Sequence, residues 1–317
     1  MTEFRSYRND DAPAIAAIWR EQEPHRALLP VVTAAMLEQH VFAKPYFDPR
    51  GLIIACDPNG PVGFIHAGFG PDDEFQQLSH DIGVLCMVMT SPRVDRELIG
   101  RELVGHAENY LRSLGATTLI GGPIHPVNPF YLGMYGGSEL PGVLESDVRT
   151  VDLLRGCGYE EFQRTVVLQR DLAGFRPSFD RSQMQVRRTF DMQTVVDPVP
   201  GNWWEACTVA QSQRTRCQLV EKESRQVRGR ISHWNMEPLA SNWDAYAAGL
   251  TDLEIERSYR RRGLATFLVG ETLRQLQTQG VSLVEVQTML DNTAALAMYE
   301  KFGFRNVEQG TVFHKVL

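Results

Sequence analysis

Arg-Arg-Arg-Gly-Leu-Ala at 260–265, followed by Asp-Asn-Thr-Ala-Ala-Leu-Ala-Met-Tyr-Glu-Lys-Phe-Gly-Phe at 291–304, decides how this chain reads. The first stretch joins LTDLEIE (250–256), which reads as a strand, to ATFLVGETLRQLQTQG (265–280). There the apolar stripe Ala265, Leu268, Val269, Thr272, Leu273 and Leu276 has helical spacing and stops at Gly280. A turn at that junction exposes successive backbone N–H groups, and Gly263 lets a ligand approach with no Cβ in the way. The helix points the positive end of its dipole at the same spot. Arg260, Arg261 and Arg262 add formal charge. Such a nest suits a diphosphate; the bland alternative is a solvated basic turn ahead of a helix. A P-loop is excluded for want of Gly-Lys-Ser/Thr, and a dinucleotide fingerprint for want of G-x-G-x-x-G opening a βαβ unit.

Arg260, Gly263 and Ala265 resemble the acetyl-CoA pyrophosphate loop of the GNAT acyltransferase superfamily, Gln/Arg-x-x-Gly-x-Gly/Ala. DNTAALAMYEKFGF resembles that superfamily's later motif of Asn, small residues, Tyr and Lys-x-Gly-Phe, and the spacing between the two fits. The resemblance is clear over 245–317, and the whole chain is similar to tandem GNAT proteins in layout. It implies an α/β fold with a mixed sheet (α+β), built as two tandem GNAT-like acyl-CoA N-acyltransferase domains of which the N-terminal one is degenerate. It implies that Leu253, Ile255 and Arg257 offer backbone groups to a pantetheine arm. Arg260, Arg261, Arg262, Gly263, Leu264 and Ala265 would hold the pyrophosphate. Asn292 would bond the pantetheine or cap the last helix, an equally good use of Asn.

The implied activity is transfer of an acetyl group from acetyl-CoA, as co-substrate and with no metal, to a primary amine by direct attack in a ternary complex. The alternative is a non-catalytic acyl-CoA-binding or assembly module derived from the same fold. Thioester aminolysis needs a neutral amine, a polarised carbonyl and a proton for the leaving thiolate. The resemblance puts Tyr299 against the sulfur as that acid; otherwise it packs with Phe302 and Phe304. A backbone N–H from Leu253–Ile255 would polarise the carbonyl. The base is open. In a regular strand Asp252, Glu254 and Glu256 share one face. Glu254 or Asp252 is the candidate, while loss of the proton through water, or pairing of these acids with Arg257 or Arg260, remains the other reading. His233 and His314 are read as structural.

The chain repeats itself: strand, helix, strands, helix, strand, short helix, strand. LLRGCGY (153–159) lies over MYEKFGF (298–304), and VDRELIGREL (94–103) over YRRRGLATFL (259–268). This divides the chain into 1–172, a linker at 173–184, and a catalytic domain at 185–317, restarting with a strand at QVRRTFDMQ. A helix is expected at WWEACTVAQS. In the first half Asp95 stands for Arg260, Leu98 for Gly263 and Leu154 for Tyr299, so the charge, the glycine and the acid are gone. That half also carries an insertion, HPVNPFYLGMYGGSELPG (125–142), long enough to be functional. It would wall the acceptor site, with Tyr131 and Tyr135 as candidates. Trp203, Trp204, Trp234 and Trp243 read as core or interdomain packing.

The bulk composition sets the limits. A length of 317 residues favours two domains. A formal net charge of −7 speaks against a protein that coats nucleic acid. The five cysteines are scattered, with no C-x-x-C, as in a reducing cytoplasm. No apolar run approaches the ~20 residues of a membrane span. The expected partner is therefore a small-molecule or peptide amine, with no nucleic acid and no membrane, the protein being a monomer or homodimer.

Overall fold

The computed structural model describes residues 2–176, 181–209 and 213–317. The first half runs β1 (Glu3–Ser6), α1 (Ala12–Arg20), α2 (Ala34–Leu37), β2 (Leu52–Asp57), β3 (Gly60–Pro71), β4 (Leu78–Thr90), α3 (Arg96–Ser113), β5 (Thr118–Gly121), β6 (Val143–Leu144), α4 (Val148–Gly156) and β7 (Glu160–Asp171). The second runs α5 (Arg181–Thr189), β8 (Phe190–Val196), α6 (Trp203–Val209), β9 (Arg214–Glu221), β10 (Val227–Asn235), α7 (Glu237–Ala240), β11 (Ala247–Ile255), α8 (Leu264–Thr278), β12 (Leu283–Met289), α9 (Thr293–Lys301) and β13 (Arg305–Val316).

The strands join into one mixed sheet in the order β1-β2-β3-β4-β5-β13-β7-β12-β11-β10-β9-β8, with β6 beside β13. Pairing is antiparallel throughout except at β4–β5 and β11–β12, where a helix crosses over between parallel neighbours. The two halves exchange their last strands. β13, the end of the second half, lies between β5 and β7, with Phe313 opposite Gly121. β7, the end of the first half, lies against β12, with Leu168 opposite Val286.

Packing follows the exchange. Val166 and Leu168 of β7 join the core of Leu250, Leu268 and Leu273 in the second half. Phe313 of β13 joins Leu103, Leu111 and Leu119 in the first. A third core, with Trp19 and Tyr131, takes in Trp234 and Met236 from beyond the linker. A cut at 172 therefore separates strands from the partners that complete their ladders, and neither 1–172 nor 185–317 holds all the strands that pair within it.

Most expected elements are present, and two differ. QVRR is helical, not extended. Val186 and Gln183 are buried, and Arg187 pairs with Glu271 of α8 at 2.6 Å, so packing on α8 fixes the conformation. The strand begins only at Phe190. β9, which the sequence did not announce, pairs with β8 and β10. Residues 177–180 of the expected linker and Ala210, Gln211 and Ser212 of the expected WWEACTVAQS helix lie outside the described residues. Among the described residues no helix is long and apolar enough to cross a membrane.

Candidate active site

β11 and β12 pair in parallel only from Ala247 opposite Leu283 to Leu250 opposite Val286. Beyond that they part. Asp252 takes a left-handed conformation (φ +53°), and the β10–β11 register slips beside it, which marks a β-bulge. From there β11 stays with β10 through Glu254 and Ile255, while Gln287, Thr288 and Met289 of β12 stay with β7. A cleft opens between the two strands. On its β12 side the main chain of β11 past Leu250 has no strand partner.

The bulge corrects the regular-strand expectation that Asp252, Glu254 and Glu256 share a face. Each is held by a different arginine. Asp252 pairs with Arg214, which also holds Glu205 at 2.8 Å. Glu254 pairs with Arg230 at 2.7 Å and is 57% exposed. Glu256 pairs with Arg228 at 2.7 Å. None of the three pairs with Arg257 or Arg260.

At the mouth of the cleft, residues Arg257–Tyr259 form one 3-10 turn, and Arg260 donates through Nε to the main-chain oxygen of Ile255, 3.1 Å away. The turn is braced from beneath. Tyr259 donates to Glu221 at 2.8 Å, and the guanidinium groups of Arg228 and Arg262 lie over its ring at 4.6 and 5.0 Å. Arg261 (φ +63°) and Gly263 (φ +79°) are both left-handed. Gly263 occupies the N-cap of α8 and supplies no side-chain cap. The first N–H groups of α8 are thus left for a ligand, as helix starts leave them unless something caps them. Arg257, Arg260, Arg261 and Arg262 are exposed, Ala265 is half-buried, and Leu264 is buried under the helix. Leu253 and Ile255 pack on the core of the second half.

Tyr299 sits two turns into α9, buried and edge-on to Phe304 (centroids 5.3 Å apart). Its hydroxyl has no protein hydrogen bond among the described residues. Burial, and then the nearby charge of Glu139, push its pKa well above the ordinary phenol value, so it is protonated at neutral pH. Asn292 caps α9, its Oδ1 accepting from the Ala295 N–H at 3.2 Å, while its Nδ2 donates to Thr288 Oγ1.

The insertion at 125–142 reaches across to this cleft. Tyr131 and Tyr135, the expected wall, are instead buried in the first half. There Tyr131 bonds His66 at 2.9 Å, and Tyr135 accepts from the Leu144 N–H. It is Ser138 and Glu139 that enter the second half. The Ser138 N–H donates to Glu285 at 2.7 Å, Trp234 Nε1 donates to the Ser138 oxygen at 3.0 Å, and Gln287 Nε2 donates to the Glu139 oxygen at 2.8 Å. Trp243 and Trp204 tie the halves elsewhere, donating to Arg26 and Pro126 oxygens at 3.1 and 2.8 Å. Burial raises the Glu139 carboxyl to about 7, helped by the charge of Asp252 and opposed by Arg214. His125, at the start of the insertion, is pushed down by burial. His233 is buried and lowered to about 4, a neutral structural ring. Sequence reasoning did not single out Glu139; the length of its loop was the only signal.

The first half repeats this geometry with its contents changed. β4 and β5 pair only from Ile82–Thr118 to Leu85–Gly121 and then part. The buried stripe Ile99, Leu103, Val104, Ala107, Leu111 of α3 matches Leu264, Leu268, Val269, Thr272, Leu276 of α8 position for position. α3, however, is one turn longer at its start. Arg96–Leu98 are helical where Arg261–Gly263 form the loop, and Asp95 caps them, accepting from the Leu98 N–H at 3.0 Å. A carboxylate thus occupies the anion position. Leu154 and Tyr299 are each the seventh residue of their helices. Between the parted strand and the starts of α3 and α4 lies a cavity of about 680 Å³, lined by Met87, Met89, Arg96, Asp147 and Thr150 among others.

The parted parallel strands and the uncapped start of α8 are the marks of the GNAT fold. The acetyltransferase (GNAT) family matches the chain twice, at residues 13–134 and 191–304, and the chain belongs to it. Mycothiol acetyltransferase of Corynebacterium glutamicum is 34% identical over 83 residues, 26% of this chain and 27% of that protein. The [ribosomal protein bS18]-alanine N-acetyltransferase of Salmonella typhimurium is 33% identical over 57 residues, 18% of this chain and 38% of that protein. These matches thus span well under half the length of either relative. Among solved structures, a tandem GNAT protein from the clavulanic acid biosynthesis pathway aligns over 100% of this chain and 98% of its own (TM-score 0.66, 16% identity). A GCN5-related glucosamine N-acetyltransferase region of a fungal β-N-acetylglucosaminidase aligns over 99% of this chain and 38% of its own (TM-score 0.72, 16% identity). Both show the fold.

Proposed function

We propose that the chain is an acetyl-CoA-dependent N-acetyltransferase working in the cleft between β11 and β12, with an amine acceptor attacking directly in a ternary complex. The observation that carries this reading is the open start of α8: Arg261 and Gly263 are left-handed, the N-cap is empty of side chain, and the turn lies at the mouth of the cleft between β11 and β12. The amides from Gly263 to Ala265, with Arg260, Arg261 and Arg262, would hold the diphosphate. The unpaired edge of β11 around Leu253, Ile255 and Arg257 would order the pantetheine amides. Acetyl-CoA supplies the activated acyl group. Tyr299, held protonated, would give its proton to the departing sulfur. Asn292 supports this reading as the cap that orients α9 and its tyrosine.

The acidic groups beyond the tyrosine, Glu139, Asp252 and Glu205, suit a cationic primary amine. The five free cysteines fit a reducing cytoplasm. That the first half holds no acyl-transfer centre of its own is part of the same proposal, supported by Asp95 and Leu154 at the corresponding positions. The test is thiol release from acetyl-CoA against glucosamine, an aminoglycoside, free amino acids and peptides with amino-terminal alanine or internal lysine. Turnover with any of them supports the enzyme. Tight acetyl-CoA binding with no turnover on the whole panel would favour the binding module instead.

A further inference from the structure

The carboxylates Asp252, Glu254 and Glu139 differ in what holds them. Asp252 is tied to Arg214 and Glu254 to Arg230. Each of these carboxylates is thus already engaged by a guanidinium. Glu139 is different. Its main chain is pinned to β12 by Gln287, and its neighbour Ser138 is pinned to Glu285 and Trp234. Its own carboxyl makes no ion pair or hydrogen bond with the described residues. It is half-buried, and its charge is felt at Tyr299. The residue at 137 must be glycine for this seat, because a Cβ there would collide with Glu285 Oε1.

We infer that Glu139, carried into the second half's cleft by the first half's insertion, is the base that removes the acceptor amine's proton, so that the two halves form one catalytic unit. This rests on the reading of the β11–β12 cleft as the acyl-transfer site. The step balances without another reactant. The amine loses its ammonium proton to water, its neutral nitrogen then bonds the thioester carbonyl carbon, and the carbon–sulfur bond breaks. The proton shed by nitrogen goes to Glu139, and sulfur takes the proton of Tyr299. Transfer from Glu139 to the phenolate then restores both groups.

The surroundings set the working pH. Facing Glu139 are Asp252 from β11, Arg214 from β9 and Tyr299 from α9. Glu285 with its partner Arg26 lies under the loop, and Glu205 stands behind Arg214. Burial and Asp252 outweigh Arg214 and place the carboxyl at about 7, where a base is both available and strong enough near neutrality.

Glu139→Gln tests the assignment. With whichever amine of the panel turns over, kcat/KM at pH 8 is expected to fall about 100-fold, and the acidic limb near pH 7 in the wild-type profile to vanish. Calorimetric affinity for acetyl-CoA and the melting temperature stay at wild-type values. Independently of turnover, the infrared difference between wild type and Glu139→Gln should show a carboxylate band growing in with a midpoint near pH 7. If the variant loses stability, Glu139→Ala with added formate takes its place: a missing base is rescued by an external carboxylate, a missing wall is not. Unchanged kcat/KM and pH limb, a band midpoint near pH 4.5, or failure of formate to restore any rate would overturn the inference while leaving the acetyltransferase reading intact. A wild type that turns over no amine would sink that reading itself.

Discussion

Gln287 donates a 2.8 Å hydrogen bond to the main-chain oxygen of Glu139, joining positions 148 residues apart. The donor stands on β12 just past the point where that strand leaves β11, and the acceptor belongs to the other half's insertion. A loop of one repeat is therefore anchored beside the opening that the other repeat makes in its own sheet. The strand exchange of β7 and β13 brings the repeats close enough for this.

Tyr299→Phe should lower kcat by about 100-fold, the usual worth of a positioned proton donor, with KM for acetyl-CoA unchanged. The hydroxyl has no hydrogen-bond partner among the described residues, and Phe keeps the edge-on contact with Phe304. The melting temperature should therefore not move. Thiol-release kinetics decide the matter: wild-type turnover would remove Tyr299 from the chemistry.

Replacing Gly263 with Val should strain the turn as well as weaken cofactor affinity. At φ +79° any side chain is disfavoured, and a Cβ would lie 2.7 Å from Ser182 Oγ. A loss of about 1–3 kcal/mol in stability is expected from urea titration. Arg261→Ala with Arg262→Ala leaves the backbone alone and should cost at least about tenfold in acetyl-CoA affinity, most visibly at low salt. Equal affinity at all salt concentrations would speak against a diphosphate at this turn.

Glu285 gives a pH signature in stability. It is fully buried, and its ion pair with Arg26 is long, 3.4 Å, so burial wins and the carboxyl titrates at about 7 instead of 4.5. Between those values the folded protein holds a proton that the unfolded chain has released, so this residue's contribution falls as pH rises. Its size is on the order of 3 kcal/mol. Glu285→Gln should therefore gain stability relative to wild type between pH 5 and pH 8. Parallel urea curves at the two pH values would refute this.

Asp95→Ala should destabilise the first half by about 1 kcal/mol through loss of the α3 cap. Turnover should be unaffected, because the capped helix lies outside the proposed site. A fall in kcat/KM at constant stability would show that the first half takes a direct part at that helix.

How much of this was legible in the sequence differs from place to place. The turn at 260–265 and the helix at 293–301 were readable because glycine, arginine and an apolar stripe constrain the backbone locally. The degeneracy of the first half was readable at Asp95 and Leu154, though not the extra helical turn that Asp95 caps. The bulge at Asp252 had a signal that the regular-strand expectation passed over: two polar residues, Thr251 and Asp252, separate Leu250 from Leu253 and break the alternation where the β10–β11 register shifts. The strand exchange was hidden, because β7 and β13 have apolar faces that suit either half. Glu139 was invisible as a site residue because contacts with Gln287, Glu285 and Trp234, all distant in sequence, place its loop.

The most direct test is a crystal structure grown with acetyl-CoA. The account predicts density between β11 and β12, with the diphosphate on the amides of Gly263–Ala265 and the sulfur beside Tyr299. Density confined to the 680 Å³ cavity against Met87, Arg96 and Asp147, with the β11–β12 cleft empty, would contradict it.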